Sequence, residues 1–188
     1  FRPWEMSGAI ADSGAGTSNA KNANWGKIRY LTGGKLISQE EYQAMLLANE
    51  AYELIRTEKY KMACDILNKA LGICPTLASA HTNLGLALSQ LGDNDGAISH
   101  LKEAIAIDPH RSAAWINLAS TFQLDGQLKA ALVTYSEYAN RFPKEPLARK
   151  AQEIASHLDH EVKEQAAVAG LRRECRRRLP RCLSLIHI

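Results

Sequence analysis

The sequence predicts an all-α fold, an α-solenoid of antiparallel helix pairs, and two observations lead to that prediction. Pro75, Pro109 and Pro143 lie 34 residues apart, and proline stops a helix because it lacks a backbone N–H and clashes with the preceding turn. The second observation is that small and large apolar residues recur at fixed distances before each proline. Repeat periods of roughly 20–50 residues are typical of stacked supersecondary units.

The recurring residues indicate two helices and a tight turn in each repeat. Small residues recur at two positions, which hold Ala51, Gly85 and Ala119, and Ala63, Ala97 and Ala131. Small side chains let two helices cross closely, and larger apolar residues between them fill the remaining space. The turns are expected at Gly92 and Gly126 in the second and third repeats, and at Glu58-Lys59 in the first.

These signals predict six helices, followed by a capping helix. The expected bounds of the six are 39–57, 60–73, 77–91, 94–107, 111–124 and 128–141. Ser38 followed by Glu41 is a capping box, which places the first helix start near Gln39. An apolar stripe then predicts a capping helix at 146–168 that covers the end of the stack. The stripe consists of Leu147, Ala151, Ile154, Leu158 and Val162.

The segments that flank the helical domain, expected at 39–170, differ from it in composition. Residues 1–24 are rich in Gly, Ser, Ala and Asn, which indicates a disordered leader. Residues 25–38 are expected to form either a short hairpin or an extended segment. The basic tail 171–188 is expected to be irregular and non-native, and the alternative is an arginine-rich arm for nucleic acid or anionic membrane. Because the chain opens on Phe1, a signal further upstream or a true start at Met6 stays open.

Composition and charge argue against nucleic-acid binding and against a membrane span. The net charge of +3 depends on six arginines after Gly170; 23 basic residues less these six leave 17, and 20 acidic residues less Glu174 leave 19. The body of the chain is therefore slightly acidic and gives no basic patch for a nucleic acid. No apolar run approaches the roughly 18–20 residues that cross a bilayer.

The cysteines and histidines do not form a site for a metal or a reaction. Cys64, Cys74, Cys175 and Cys182 have no C-x-x-C spacing, so we expect reduced cysteines and a cytoplasmic protein. His157 and His160 have a spacing that metal ligands use, but no third ligand is evident. The sequence also lacks a phosphate-binding loop and a nucleophile elbow. We therefore expect no enzyme activity, no cofactor and no metal.

The residue pattern of the repeats resembles the tetratricopeptide repeat. The fullest copy is Trp115-x-x-Leu118-Ala119-x-x-Phe122, then Ala131-x-x-x-Tyr135 and Pro143. The second copy is similar, whereas the first departs most, with Glu50 where the others have leucine. The resemblance covers residues 44–145, as repeats 44–77, 78–111 and 112–145. It implies a right-handed superhelix whose first helices line a concave groove that holds a peptide.

The resemblance also implies which residues line that groove. They are Asn49, Tyr52, Arg56, Thr82, Asn83, Leu86, Gln90, Ile116, Asn117, Ser120 and Gln123. The function that follows is a non-enzymatic interaction module or scaffold for a peptide of an unidentified partner protein. Two alternatives stay open: the substrate-recognition segment of a larger enzyme, such as a glycosyltransferase or kinase, and a bacterial envelope assembly accessory protein.

Three asparagines occupy the same repeat position, Asn49, Asn83 and Asn117. An amide offers donors and an acceptor, which suits an extended peptide backbone, and a similar row lines the superhelix of O-linked N-acetylglucosamine transferase. The alternative is that these amides only bond locally between helices. The resemblance also includes proteins that grip the carboxyl-terminal tail of a chaperone with cations. The corresponding positions here include Ala48 and Ala113, so we do not expect that partner.

Overall fold

The chain is an all-α helical solenoid preceded by a short hairpin, and a computed structural model describes its residues 30–32 and 35–183. The elements are β1 Tyr30–Thr32, β2 Lys35–Ile37, α1 Gln39–Arg56, α2 Tyr60–Ile73, α3 Ala78–Gln90, α4 Asn94–Ile107, α5 Ser112–Leu124, α6 Leu128–Arg141 and α7 Ala148–Leu183. The expected leader at 1–24 lies outside the described residues. The helices fall into two compact units that divide after Pro109, with α1 to α4 in the first unit and α5 to α7 in the second.

In the first unit, successive helices pack on one another from α1 to α4. Their contacts bury alanines on α1 and leucines such as Leu67 and Leu84 on α2 and α3. Before α1, strands β1 and β2 pair antiparallel, with Leu31 opposite Leu36. Of the two alternatives for residues 25–38, the hairpin is the one that the described part contains.

Side-chain caps mark the start of two helices of this unit, α1 and α4. Ser38 is the N-cap of α1, and its Oγ accepts a hydrogen bond from the Glu41 backbone N–H at 3.1 Å. The same arrangement begins α4, where Asp93 Oδ1 accepts from the Gly96 N–H at 3.0 Å. These side chains satisfy donors that have no partner within the helix. The start of α1 at Gln39, predicted from the capping box, is confirmed.

Each second helix ends two residues before its proline. The backbone N–H groups that close α2, α4 and α6 each donate across 2.9 Å to the carbonyl four residues earlier. These closing residues are Cys74, Asp108 and Phe142, and they occupy the same repeat position. The prolines therefore mark the helix ends, as the sequence predicts.

Close helix crossings occur where the repeats have small residues. Ala51, Ala63, Ala97, Ala119 and Ala131 are all fully buried. At Gly85, a Cβ atom would lie 2.5 Å from Leu101 Cγ and 3.1 Å from the Ala97 carbonyl oxygen. This spacing leaves no room for a side chain, so the predicted close crossing of α3 and α4 is confirmed.

The turns between paired helices share one backbone conformation. Gly92 has φ 86° and Gly126 has φ 74°, and Glu58, at the same repeat position, has φ 60°. Glycine adopts this left-handed region without steric cost, whereas a residue with a Cβ is disfavoured there. The first repeat therefore keeps the turn that its sequence predicts, but with a less favourable residue.

In the second unit, α6 packs against both α5 and α7. The core of this unit contains large side chains such as Phe122, Tyr135 and Tyr138 from α5 and α6, and Leu158 from α7. Trp115 on α5 lies beneath the Arg141 guanidinium, 5.4 Å from the ring centroid. A cation–π contact of this kind joins the beginning of α5 to the end of α6.

The predicted bounds of the capping helix were wrong at both ends. Leu147 precedes α7 and is 46% exposed, and Ala148 and Ala155 are buried on the packed face instead. Helix α7 then continues through Gly170 to Leu183, so the tail is not irregular there. A glycine costs a helix only about 1 kcal/mol relative to alanine. The Ala, Leu, Arg and Glu residues around it are strong helix formers that offset this cost.

Candidate peptide-binding faces

Seven of the predicted site residues lie on helices α1 and α3 of the first unit, and we call six of them, all except Thr82, the α1/α3 face. Side chains three and four residues apart lie on the same side of a helix. That spacing joins Asn49, Tyr52 and Arg56 on α1, and Asn83, Leu86 and Gln90 on α3. The three α1 residues and Gln90 are exposed, whereas Asn83 and Leu86 are half-buried. The six residues therefore lie on two helices that contact each other.

An asparagine side chain bridges the two helices of this face. The Asn83 Nδ2 group donates a hydrogen bond to the Ala48 carbonyl oxygen at 3.2 Å. The sequence left two roles open for the asparagine row, binding of a peptide backbone and local bonding between helices. Local bonding between helices occurs at Asn83. By contrast, the Asn49 amide makes no side-chain hydrogen bond with any residue that the structure describes, and it is exposed.

Thr82 does not belong to the face, in contrast to the prediction. Its side chain is only 3% exposed, and its hydroxyl donates to the Ala78 carbonyl oxygen at 2.8 Å. Consecutive residues are separated by roughly 100° around a helix, so Thr82 lies toward the core while Asn83 faces α1. Most side chains of α3 are small or apolar on every side of the helix. The sequence of α3 alone therefore does not show which of its polar residues are buried.

The α1/α3 face has little positive charge. Helix α3 contains no lysine, arginine, aspartate or glutamate. Helix α1 contains four glutamates and one arginine, Arg56, whose guanidinium lies 2.9 Å from Glu53 Oε2. Both side chains of this ion pair are largely exposed, so it adds little stability, but it partly neutralises the arginine. The face is therefore neutral to acidic.

The remaining four predicted residues lie on α5 in the second unit and form the α5 face. They are Ile116, Asn117, Ser120 and Gln123. Gln123 is exposed, the other three are half-buried, and α5 carries no charged residue. Within the described residues of its own unit, the Asn117 amide makes no side-chain hydrogen bond. The α5 face therefore offers the free amide of Asn117, as the α1/α3 face offers that of Asn49.

Two residues of the α5 face are held by a buried tyrosine on α6. The Tyr135 hydroxyl donates to Gln123 Oε1 at 3.1 Å and lies 3.0 Å from Ser120 Oγ. A tyrosine hydroxyl has one hydrogen, so Ser120 is the donor in the second bond. These contacts leave the Gln123 amino group available to a ligand but occupy its oxygen. The sequence placed Tyr135 in the core without revealing this network, since no local pattern relates it to Ser120.

The described residues contain no cluster of three or more His, Cys, Asp or Glu side chains that could hold a metal ion. His157 and His160 are exposed on α7.

Cys64, Cys74 and Cys175 are free thiols. Burial raises the pKa of the Cys64 thiol above its usual 9.0, and the nearby carboxylates of Asp65 and Asp93 raise it further, so this thiol stays protonated near neutral pH.

A cleft of about 670 Å³ lies in the second unit between the start of α6 and the later part of α7. Its walls include Leu128, Lys129, Val162, Ala166 and Arg173. None of the predicted site residues lines it.

No helix among the described residues is both long and apolar enough to cross a bilayer.

Sequence comparison identifies the repeats. A family described as tetratricopeptide repeat matches residues 88–155. The chain is also 25% identical, over 133 residues, to small glutamine-rich tetratricopeptide repeat-containing protein 2 of Mycosarcoma maydis. The chain carries tetratricopeptide repeats. The matched part is 68% of this chain but 38% of that relative, so the chain corresponds to less than half of the relative's length.

Solved structures agree with this assignment. The tetratricopeptide repeat domain of Sgt2 from Aspergillus fumigatus superposes with a TM-score of 0.60 at 21% identity, covering 65% of this chain and 82% of that one. The TPR2B domain of yeast Sti1, in a complex with pHsp70, gives a TM-score of 0.59 at 20% identity, covering 66% and 99%. At such identities these matches show that the fold is shared.

Proposed function

We propose that this tetratricopeptide repeat chain is a non-enzymatic interaction module that holds a peptide segment of a partner protein. The observation that carries this proposal is the α1/α3 face, where exposed amide and aromatic side chains surround the half-buried Asn83 and Leu86. Asparagine and glutamine amides can pair with the N–H and C=O groups of an extended backbone. Leu86 and Tyr52 supply apolar contact for the peptide side chains.

The charge of the two faces indicates what charge a bound peptide should have. A terminal carboxylate placed on α3 or α5 would lose its hydration without gaining a cationic partner, which is costly. The TPR2B domain of Sti1 is found with pHsp70, but we do not propose a chaperone carboxyl terminus for this chain. We propose an uncharged or basic segment, because basic side chains would be attracted by the glutamates of α1.

The α5 face presents a similar surface in the second unit, where Asn117 and Gln123 carry amide groups. We propose that it binds peptide backbone in the same manner. The repeats at 44–77, 78–111 and 112–145 would then each contribute their first helix. Free cysteines are compatible with a reducing compartment such as the cytoplasm, which we retain as part of this proposal.

Binding of a peptide library to the full chain tests the function. The library contains extended peptides that differ only in the charge of their ends, and dissociation constants are measured by fluorescence polarisation. We expect neutral and basic peptides to bind more tightly than acidic ones. Preference for acidic carboxyl termini would contradict the proposed partner chemistry, and no saturable binding by any class would contradict the peptide-binding function.

Variants then locate the binding surface. Asn49→Ala, and the pair Asn83→Ala with Asn117→Ala, should each weaken binding of the best peptide by roughly two- to tenfold. That corresponds to the 0.5–1.5 kcal/mol that a typical hydrogen bond contributes. Asn68→Ala is the matched control, because Asn68 is an exposed asparagine on α2, a helix that contributes no residue to either face. Unchanged affinity in the face variants, with an intact circular dichroism spectrum, would mean that these asparagines have only structural roles.

A further inference from the structure

Two histidines face each other inside the second repeat, where the first repeat has an aliphatic pair. His81 on α3 and His100 on α4 occupy the repeat positions of Leu47 and Ile66. His81 is 9% exposed and His100 is half-buried. Their Nδ1 atoms lie 3.1 Å apart and their ring centroids 5.3 Å apart. The contact between α3 and α4 therefore includes a pair of titratable rings, whereas the first repeat has two aliphatic residues at these positions and the third has Trp115 and Thr134.

The surrounding hydrogen bonds determine which nitrogens carry protons. His81 Nε2 lies 3.0 Å from the Pro75 carbonyl oxygen, which can only accept, so Nε2–H is the donor. A neutral His81 then has a bare Nδ1. His100 Nδ1 must therefore carry the hydrogen and donate it to His81 Nδ1. This assignment predicts different tautomers for the two rings, with His100 in the Nδ1–H form.

The two rings respond differently to added protons. A first proton can bind His100 at Nε2, and the resulting imidazolium still donates through Nδ1–H to His81. A second proton has to bind His81 Nδ1, which brings two N–H groups face to face with no acceptor between them. The hydrogen bond cannot survive that step, and two positive rings would then repel each other in a poorly solvated position.

Charged groups around the pair influence the first step. Burial lowers the pKa of His100 below its usual 6.5, and the neighbouring His81 lowers it further, while the carboxylates of Asp93 and Glu103 on the α4 side act in the opposite direction. Helix α3 contributes no charged side chain. Helix α2 packs on α3, and its buried titratable group is the Cys64 thiol. The pKa of this thiol is raised, so it adds no charge in this pH range.

We propose that His81 and His100 form a proton-sensitive latch between α3 and α4, closed while His81 is neutral and released when both rings are protonated. Helix α3 also carries Asn83 and Leu86, so release would loosen the α1/α3 face and weaken peptide binding at mildly acidic pH. This last consequence rests on the proposed function. The latch itself does not, because it is a property of the contact between the helices.

The direction of the pH effect follows from the lowered pKa of His100. Above pH 6.5, this ring is neutral in both the folded and the unfolded chain, and the full stability is present. As the pH falls below that value, the unfolded chain binds the proton first and stability decreases until the pH passes the folded-state pKa. Because the fold lowers the pKa of His100, this ring lowers the folding constant by up to about tenfold per pH unit in this window.

Urea unfolding of the full chain at pH 7.5 and 5.0, with a chelator present, tests the latch. The variant His81→Leu with His100→Ile introduces the residues of the first repeat at these positions. We expect the wild type to lose more stability than this variant on acidification. The control His157→Gln with His160→Gln, at exposed positions on α7, should behave as the wild type does. Parallel losses in the wild type and the latch variant would overturn the proposal.

Nitrogen-15 spectra of the histidine rings provide a second test that requires no variant to fold. At pH 7.5 the wild type should show His81 with its hydrogen on Nε2 and His100 with its hydrogen on Nδ1. An Nε2–H tautomer at His100 would contradict the pairing on which the latch depends. Neither experiment uses a partner peptide, so a failure of the proposed binding function would not affect the outcome.

Discussion

The side chain of Asn83 reaches from α3 to the backbone of α1, where its amide donates to the Ala48 carbonyl oxygen at 3.2 Å. We predict that Asn83→Ala lowers the free energy of unfolding by about 1 kcal/mol, because it removes this bond and leaves a half-buried carbonyl without it. Urea unfolding of the purified chain measures the change. Asn117→Ala, at the same repeat position but without such a bond in its own unit, should change stability by less than about 0.5 kcal/mol. Equal effects would show that the Asn83 bond is not stabilising.

The crossing of α3 and α4 at Gly85 provides a second prediction. Gly85→Ala would place a Cβ 2.5 Å from Leu101 Cγ, so we expect a loss of about 1–3 kcal/mol from overpacking. Gly72→Ala is the control, because a Cβ there meets no atom within 4 Å. It should raise stability by about 0.5–1 kcal/mol through helix propensity. Thermal unfolding followed by circular dichroism compares the two, and a stabilising Gly85→Ala would disprove the close crossing.

Glu58 is the third site for a prediction, because its φ of 60° is one that glycine adopts in the other two turns. Glu58→Gly should stabilise the first unit by up to about 1 kcal/mol, since it relieves the left-handed strain. Glu58→Ala serves as the control: it removes the same carboxylate but keeps a Cβ, and no gain is expected. Chemical unfolding measures both variants. If alanine stabilised as much as glycine, charge rather than backbone conformation would be responsible.

Tyr135 joins α5 to α6 through its hydroxyl, which contacts both Gln123 and Ser120. Tyr135→Phe keeps the ring but leaves these two groups without their partner, and we expect a loss of about 1–2 kcal/mol. The control is Tyr52→Phe, because Tyr52 is 47% exposed on α1 and its hydroxyl has access to water. Urea unfolding should show no measurable change for the control. A neutral Tyr135→Phe would mean that the network does not stabilise the unit.

Much of the helical framework follows from the sequence because its signals act over a few residues. A proline stops the helix next to it, and a serine such as Ser38 caps the helix that follows. Small residues at a constant period, including Ala51 and Gly85, identify the sides on which helices cross. For the same reason the tetratricopeptide repeat pattern could be recognised from the sequence. The assignment of residues to a peptide-binding face stays a prediction, and Thr82, which that prediction included, is buried.

The sequence by itself therefore determined the 34-residue period, the paired helices and the positions at which the paired helices cross closely. The tertiary structure decided which polar atoms meet one another: Asn83 with Ala48, Tyr135 with Gln123, and His81 with His100. It also decided that Thr82 is buried and that α7 continues through Gly170. Periodicity specifies only a direction around a helix axis, whereas a hydrogen bond requires two atoms on different helices to lie within about 3 Å. That distance depends on how closely the helices pack.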